Sequence, residues 1–178
     1  LVAPENGFSL VNPVWSPDGM TVSFDELLYM EGRGNFAFYD FAAGTYTAWD
    51  KPIGGVSWAR DGSNLLADYL TYMPNYTERV FRISRDGSSE DQLSPDAENS
   101  YAYNPIYSPD GSQIAYVSVA GMEPDTVSDL VLIDAAGVTH LLTRVTQVFN
   151  MNWTPDGQSL LIAAGMSASA CSPPRVIM

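Results

Sequence analysis

The sequence predicts an all-β fold, a β-propeller built from four-stranded antiparallel blades. Three observations lead to this prediction. One turn motif recurs four times, a second glycine recurs in fixed register behind it, and no window sustains the 3.6-residue apolar period of an amphipathic helix. Repeats of roughly 40–50 residues with four short strands each are typical of propeller blades. We therefore expect about four blades.

The turn motif combines an aromatic residue with an Asp-Gly pair that begins three residues later. Its four copies lie at residues 15–19, 58–62, 107–111 and 153–157. The motif glycines are separated by 43, 49 and 46 residues. Apolar residues alternate behind each glycine, as at Val22 and Phe24 in the first repeat. A turn followed by such alternation predicts a hairpin whose second strand is half buried.

The second landmark is a glycine that follows the motif glycine by 25, 25 and 26 residues in the first three repeats. Each of these glycines follows a strand-like run, at residues 36–39, 79–83 and 130–133. A further strand-like run follows each glycine, at residues 45–49, 90–93 and 138–142. Two landmarks in register predict one propeller domain over residues 1–178, with blades at approximately 5–50, 51–97, 98–145 and 146–178, the last one incomplete.

Two motif copies extend toward the N-terminus and carry a resemblance to a known family. They read Asn12-Pro13-Val14-Trp15-Ser16-Pro17-Asp18-Gly19 and Asn104-Pro105-Ile106-Tyr107-Ser108-Pro109-Asp110-Gly111. Both resemble the WD40-like (PD40) repeat of the TolB-like family, and also repeats in the propellers of prolyl oligopeptidase-type peptidases. The second repeat departs from the pattern, with Ala59-Arg60 for Ser-Pro and Gly55 for asparagine. The resemblance implies a propeller fold and a periplasmic or extracellular location.

The landmark spacing also predicts how the blades are closed into a ring. Adding 25 residues to Gly157 places the later glycine of the fourth blade at about position 182, beyond Met178. The favoured expectation is a segment of a larger ring with six to eight blades. Two alternatives stay open: a four-bladed ring in which residues 1–3 pair beside residues 175–178, and a homo-oligomer in which two chains complete an eight-bladed ring.

Composition excludes several classes of function. With 21 Asp and Glu against 8 Lys and Arg, the 178-residue chain carries a formal charge of −13, which argues against a nucleic-acid partner. Its apolar runs fall far short of the ~20 residues that span a membrane. A single cysteine, Cys171, and a single histidine, His140, exclude a disulfide framework and cysteine- or histidine-based metal centres. No cofactor and no metal are predicted.

The recurring motif residues are interpreted as structural. The motif aspartates are Asp18, Asp61, Asp110 and Asp156. One such aspartate in each blade places the four around one face, where they would not converge on a metal. The motif aromatics are Trp15, Trp58, Tyr107 and Trp153. Their recurrence at one blade position predicts packing between adjacent blades.

No set of residues in the sequence predicts catalysis. The Gly-x-Ser-x-Gly elbow and the phosphate-binding glycine loops are missing. His140 falls in an outer strand, where we expect a partly exposed side chain and no Ser-His-Asp triad. The acidic cluster at residues 90–98 lacks the spacing of a calcium loop and is interpreted as a solvated rim.

The predicted function is placed in the loops that join second to third strands and outer to next inner strands, because these share one face of a propeller. These loops combine tyrosine with asparagine, a composition typical of protein contact surfaces. The predicted partner-binding residues are Tyr72, Asn75, Tyr76, Tyr101 and Tyr103. Covering a neighbouring blade is an equally open role for these tyrosines.

The leading hypothesis is a non-enzymatic propeller scaffold that binds a protein or peptide partner through this loop face. The alternative is the non-catalytic gating propeller of a prolyl oligopeptidase-type serine hydrolase whose catalytic domain lies outside this chain. A third hypothesis, a propeller enzyme such as a polysaccharide lyase or a lactonase, is disfavoured by the scarcity of histidine.

Overall fold

The computed structural model describes residues 8–28, 32–71, 76–98, 100–121, 126–164 and 175–177. Every regular element within these ranges is a β-strand. The strands pair mainly with their neighbours in sequence, and almost all pairs are antiparallel. The predicted all-β class is therefore confirmed.

The strands form four antiparallel units in chain order, which we call the four sheets, although the second and third are hydrogen-bonded to each other as one eight-stranded sheet. The first contains β1 (Phe8–Trp15), β2 (Thr21–Leu28), β3 (Gly32–Asp40) and β4 (Thr45–Trp49). The second contains β5 (Ile53–Trp58), β6 (Asn64–Thr71), β7 (Thr77–Ser84) and β8 (Glu90–Gln92). The third contains β9 (Ser100–Tyr107), β10 (Ile114–Ala120), β11 (Ser128–Ile133) and β12 (Thr139–Val145). The fourth contains β13 (Val148–Trp153), β14 (Leu160–Ala164) and β15 (Arg175–Ile177). A parallel pair between Glu78 and Tyr101 joins the second and third sheets.

Each motif forms the turn between the first and second strands of its sheet. In the first sheet the Ser16 hydroxyl donates to Oδ1 of Asp18 at 2.6 Å, and the N–H two residues beyond the aspartate donates to the same oxygen at 2.9 Å. Gly19 takes a φ of 67°, which glycine adopts without steric cost. Equivalent backbone bonds recur at Asp61, Asp110 and Asp156. The motif aspartates are turn residues, as the sequence predicts.

The second strands of the middle sheets are buried on both faces rather than one. Leu65, Leu66 and Ala67 of β6 are all fully buried. The cause is the order of the sheets, because the first sheet covers one face of β6 and the third covers the other. The expected half-burial is therefore wrong for these strands.

The core consists of three apolar clusters, one between each pair of consecutive sheets. The first includes Phe36, Phe38, Ile53, Trp58, Leu65, Ala67 and Ile83. The second includes Leu66, Val80, Ala102, Ile114, Tyr116, Val131 and Ile133. The third includes Ala115, Val117, Leu130, Val148, Met151, Ile162 and Ala164. The second and third sheets therefore each contribute one face to the cluster before them and the other face to the cluster after them.

The inner strands share an irregularity just before the motif aromatic. The register between first and second strands shifts in all four sheets. Asn12 and Asn104 take φ values of 51° and 52° at this point, and Gly55 takes 56°. Asparagine and glycine tolerate this left-handed conformation better than other residues do. The left-handed conformation therefore explains asparagine or glycine at this position in the first three repeats.

Packing against Asp68 gives a second reason for glycine at position 55. A Cβ atom on Gly55 would overlap Oδ2 of Asp68, which is fully buried. That oxygen accepts a hydrogen bond from the backbone N of Asn104 at 3.0 Å. In the first sheet the equivalent aspartate, Asp25, instead accepts a 2.7 Å bond from Nδ2 of Asn12. The Asp68 carboxylate thus occupies the space that an asparagine side chain would need.

Three motif aromatics pack between sheets, as predicted. Trp58 is 8% exposed, and its ring centroid lies 6.1 Å from that of Phe38 in the first sheet. The Tyr107 hydroxyl donates to Oδ1 of Asn64 in the second sheet at 2.5 Å. Trp153 packs against the cluster between the third and fourth sheets.

The remaining motif aromatic, Trp15 of the first repeat, does not pack between sheets as predicted. It is 57% exposed and stacks on Phe41, with ring centroids 5.2 Å apart. Phe41 is itself 51% exposed. Within the described ranges no sheet lies on this side of the first sheet, so the ring has only its own sheet to pack against.

Candidate functional site

We define the loop face as the edge of the sheets that carries the β2–β3, β6–β7, β8–β9 and β10–β11 connections. Tyr76 lies at this edge just before β7 and is 41% exposed. Its ring centroid is 5.6 Å from that of Tyr101, with an angle of 46° between the planes. The structure therefore brings two of the predicted partner-binding residues together. Tyr72 and Asn75 lie outside the described residues.

Tyr101 and Tyr103 lie in a strand, whereas the sequence placed them in a loop. The difference arises because β9 begins at Ser100, where its antiparallel ladder with β10 starts. Tyr103 packs against the cluster between the third and fourth sheets. Burial raises the pKa of the Tyr103 phenol, which is also hydrogen-bonded to Ser128. Tyr101 thus contacts the exposed Tyr76, while Tyr103 is directed toward the interior.

Arg79 holds the segment that leads into β9. The residue is buried, with 5% exposure, and Nη2 donates to the carbonyl oxygen of Ala97 at 2.6 Å. Nη1 donates to the carbonyl oxygen of Ser100, and Nε lies 3.6 Å from Oδ1 of Asp96. Because Arg79 projects from β7 and these acceptors immediately precede Tyr101, the guanidinium fixes the two tyrosine-bearing segments relative to each other.

The bulges of the inner strands line a cavity of about 430 Å³. All four sheets contribute to its wall, through residues that include Asn12, Gly55, Asn104 and Asn150. Asp25 reaches the cavity from the second strand of the first sheet. The sequence analysis did not predict this cavity. Its signal was the recurring asparagine three residues before the motif aromatic.

The opposite edge, the turn face, carries the motif turns and the turns between third and fourth strands. Arg85 donates there to Oδ2 of Asp18 at 2.8 Å and to Oγ1 of Thr21 at 2.5 Å. Its guanidinium carbon lies 5.7 Å from the centroid of the Trp58 ring. The Ser16 hydroxyl and the Arg85 guanidinium together hold the pKa of Asp18 well below its usual range. The Asp18 charge is therefore paired within the protein, across the first and second sheets.

The lone histidine has a local partner in its own sheet. Nε2 of His140 lies 2.7 Å from Oδ2 of Asp134, and the histidine side chain is 47% exposed. Partial exposure in an outer strand is what the sequence predicts. Across the described residues, His, Cys, Asp and Glu side chains form no group of three or more that could hold a metal ion. The same residues include no helix long and apolar enough to cross a membrane.

Comparison with known proteins identifies the architecture. No family model matches the chain, and no curated protein matches it. Among solved structures, TolB from Acinetobacter baumannii superposes on 95% of the chain with a TM-score of 0.64 and 16% identity. The chain has the β-propeller fold. The four sheets are blades, and the predicted resemblance to TolB-like propellers is confirmed at the level of structure.

Other similar structures belong to propellers with different activities. An oligogalacturonate lyase in complex with manganese covers 93% of the chain at a TM-score of 0.68 and 17% identity. A prolyl endopeptidase covers 98% at a TM-score of 0.66 and 13% identity. The chain spans 40% of the TolB chain, 49% of the lyase chain and 30% of the endopeptidase chain. Identities this low show a shared fold and do not transfer an activity.

Proposed function

We propose that this propeller segment is a non-enzymatic scaffold that binds a protein or peptide partner at its loop face. Tyr76 and Tyr101 would form the centre of the contact. The predicted residues Tyr72, Asn75 and Tyr103 remain part of the proposal, with Tyr103 supporting the site from within the blade. A periplasmic or extracellular location belongs to the same proposal and rests on the resemblance to TolB-like propellers.

The observation that carries the proposal is the pair formed by exposed Tyr76 and half-buried Tyr101. Two phenol rings at 5.6 Å offer a broad apolar surface with hydroxyl groups, which is the chemistry of energetically dominant interface residues. A contact of this kind binds best when its side chains are held in place before the partner arrives. Arg79 supplies that order by bonding to the carbonyl groups that precede Tyr101.

The arrangement favours binding over catalysis. The described carboxylates of the motif turns are committed to their own turns or to Arg85, and His140 is bonded to Asp134 at the outer edge of the third blade. A general acid or base needs a titratable group that faces a substrate. The pair of exposed Tyr76 and half-buried Tyr101 needs no such group in order to bind a peptide.

A selection from a phage-displayed library of random 12-residue peptides would test this function. The purified chain is immobilised, and the dissociation constant of the enriched peptide is measured by fluorescence anisotropy. We expect Tyr76→Ala and Tyr101→Ala each to weaken binding about tenfold, since interface tyrosines of this kind contribute at least ~1–2 kcal/mol. The melting temperature should change little, because both rings lie at the edge of the fold.

Phe41→Ala is the matched control, since Phe41 is an aromatic residue of similar exposure on the first blade, away from the tyrosine pair. It should leave peptide affinity unchanged. Failure to enrich any peptide would overturn the proposed function. Enrichment of a peptide that binds both tyrosine variants as tightly as the parent chain would overturn the site.

A further inference from the structure

A groove of about 590 Å³ lies on the turn face where the second and third blades meet. Its walls include Arg60, Asn64 and Arg82 from the second blade and Tyr107 and Asp110 from the third. It is separate from the tyrosine pair, which lies on the loop face. The groove therefore concerns a different surface from the proposed function.

The groove results from replacements that occur at one blade junction only. The motif turns of consecutive blades lie against each other at the other junctions. A methyl group placed on Gly157 would meet Pro109 at 3.5 Å, and one on Gly62 would meet Pro17 at 3.9 Å. At the junction of the second and third blades, Arg60 takes the place of that proline, and its Cβ lies at 3.8 Å from the corresponding position on Gly111.

A second replacement lies beside the first. The motif aromatic of each following blade packs near a third-strand residue of the blade before it, which is Phe38 at the first junction and Leu132 at the last. At the middle junction this residue is Arg82, which is hydrogen-bonded to the Tyr107 phenol. The phenol in turn donates to Asn64. Two guanidinium groups thus replace a proline and an apolar side chain at one groove.

These two arginines differ from the other basic side chains that the structure describes. Lys51, Arg79, Arg85 and Arg144 each pair with a carboxylate within the chain. Within the described ranges, Arg60 and Arg82 form no such ion pair, although the chain carries 21 acidic residues. Arg60 is exposed and Arg82 is half-buried. Most of their N–H donors therefore have no acceptor among the residues that the structure describes.

The two aspartates at the groove do not pair with Arg60 or Arg82. Asp61 accepts bonds from the backbone N and the hydroxyl of Ser63, at 3.0 and 2.7 Å. Asp110 accepts from the hydroxyl of Ser108 at 2.6 Å and from Ser112 N at 3.0 Å. Both carboxylates are bound within their own turns. Their charges nevertheless remain at the rim, where they disfavour a ligand with several negative charges.

We propose that this groove binds a single carboxylate group through Arg60 and Arg82. The planar guanidinium fork matches a carboxylate with two parallel hydrogen bonds. A free C-terminus of a peptide and a small organic acid both present this group. The net charge of −13 and the rim aspartates select a singly charged ligand over sulfate or citrate.

The test is a titration of the ¹⁵N-labelled chain followed by NMR at constant ionic strength, with sodium chloride as the reference. The probes are sodium acetate, sodium sulfate, and the tripeptide N-acetyl-Ala-Ala-Ala with a free or an amidated C-terminus. We expect saturable shifts at the Arg60 and Gly111 amides with acetate and the free tripeptide, in the millimolar range. The amidated tripeptide should produce no saturable shift. A free tripeptide that binds more tightly than acetate would assign the site to peptide C-termini, and equal affinities would assign it to small organic acids.

The decisive variant restores the pattern of the other junctions, with Arg60→Pro and Arg82→Leu in one chain. Because both residues occur at the equivalent positions of other blades, this variant should fold, which circular dichroism checks. Its carboxylate affinity should fall more than tenfold. Arg144→Ala removes one positive charge elsewhere and should change affinity less than twofold. Absence of saturable shifts in the parent chain, or full binding by the folded double variant, would overturn the proposal.

Discussion

Replacing Trp15 and Trp58 by alanine, one at a time, compares a single repeat position in two environments. Both residues open a motif turn, yet Trp58 is 8% exposed and Trp15 is 57% exposed. Trp58 contacts Phe38 of the first blade and lies beneath the Arg85 guanidinium. Trp15 contacts Phe41 of its own blade. The two substitutions therefore remove the same atoms from very different surroundings.

The expected magnitudes follow from the buried area. A buried tryptophan removes roughly 150–250 Å² from water, which at about 25 cal/mol per Å² corresponds to roughly 4–6 kcal/mol as an upper bound. Core substitutions of this kind cost about 3–5 kcal/mol when measured. We expect about 4 kcal/mol for Trp58→Ala. Trp15 buries less than half of its surface and would leave no enclosed cavity, so about 1–1.5 kcal/mol is expected.

Urea unfolding followed by far-ultraviolet circular dichroism measures both values. The slope of the free energy against urea should be the same for both variants, so that the shift in midpoint reports stability alone. Trp58→Phe is the control, because it keeps a large ring against Phe38 and should recover most of the loss. Destabilisation by Trp15→Ala and Trp58→Ala that agrees within about 0.5 kcal/mol would refute the assignment of Trp58 to a blade junction.

Two further predictions concern the inner bulge and the turn face. Gly55→Ala should destabilise the chain by more than ~2 kcal/mol, because the new methyl group must displace the buried Asp68 carboxylate. Gly44 has a similar positive φ but open space around it, so Gly44→Ala should cost only the ~1 kcal/mol of backbone strain. Equal losses of unfolding free energy for the two variants in urea would contradict this reasoning. The pKa of Asp86 is lowered to about 2, mainly by a hydrogen bond from Ser88, and the pKa of Asp110 is lowered to about 2, mainly by a hydrogen bond from Ser108. Because the folded pKa lies below the usual aspartate pKa of 3.8, this stabilisation is complete above about pH 4 and is lost as the pH falls toward 2. Melting temperatures should therefore drop across that window, and they should drop less in Asp110→Asn.

The fold was predictable because its signals are local in the sequence. The Asp-Gly turns need a residue that tolerates positive φ and a carboxylate that caps the turn, and both recur at regular intervals. Strand β4 begins and ends where the sequence places it, at Thr45–Trp49. The β9 start was misplaced because the stretch before it looks like a loop. Pairing with β10, which lies further along the chain, decides that Ser100 belongs to the strand.

The candidate surfaces were predictable only in part, because they depend on contacts between repeats. Tyr76 and Tyr101 were selected from composition, but their proximity depends on the parallel pair between β7 and β9 and on Arg79, neither of which the sequence analysis singled out. The exposure of Trp15 was missed for a related reason. A repeat pattern gives every copy the same environment, whereas burial depends on which neighbour each blade has.

The second repeat shows how departures from a pattern can be separated into structural and functional ones. Gly55 replaces the asparagine of the other repeats because of packing within the protein. The Asp68 carboxylate fills the space beside it and accepts a hydrogen bond from the next blade. Arg60 and Arg82 also replace the residues found at the other junctions, yet no described carboxylate accepts their donors. A charged group without a carboxylate partner among the described residues does not improve packing, because a proline or an apolar residue fills the same position in other blades. Stability therefore accounts for Gly55, and recognition of an external carboxylate accounts for Arg60 and Arg82.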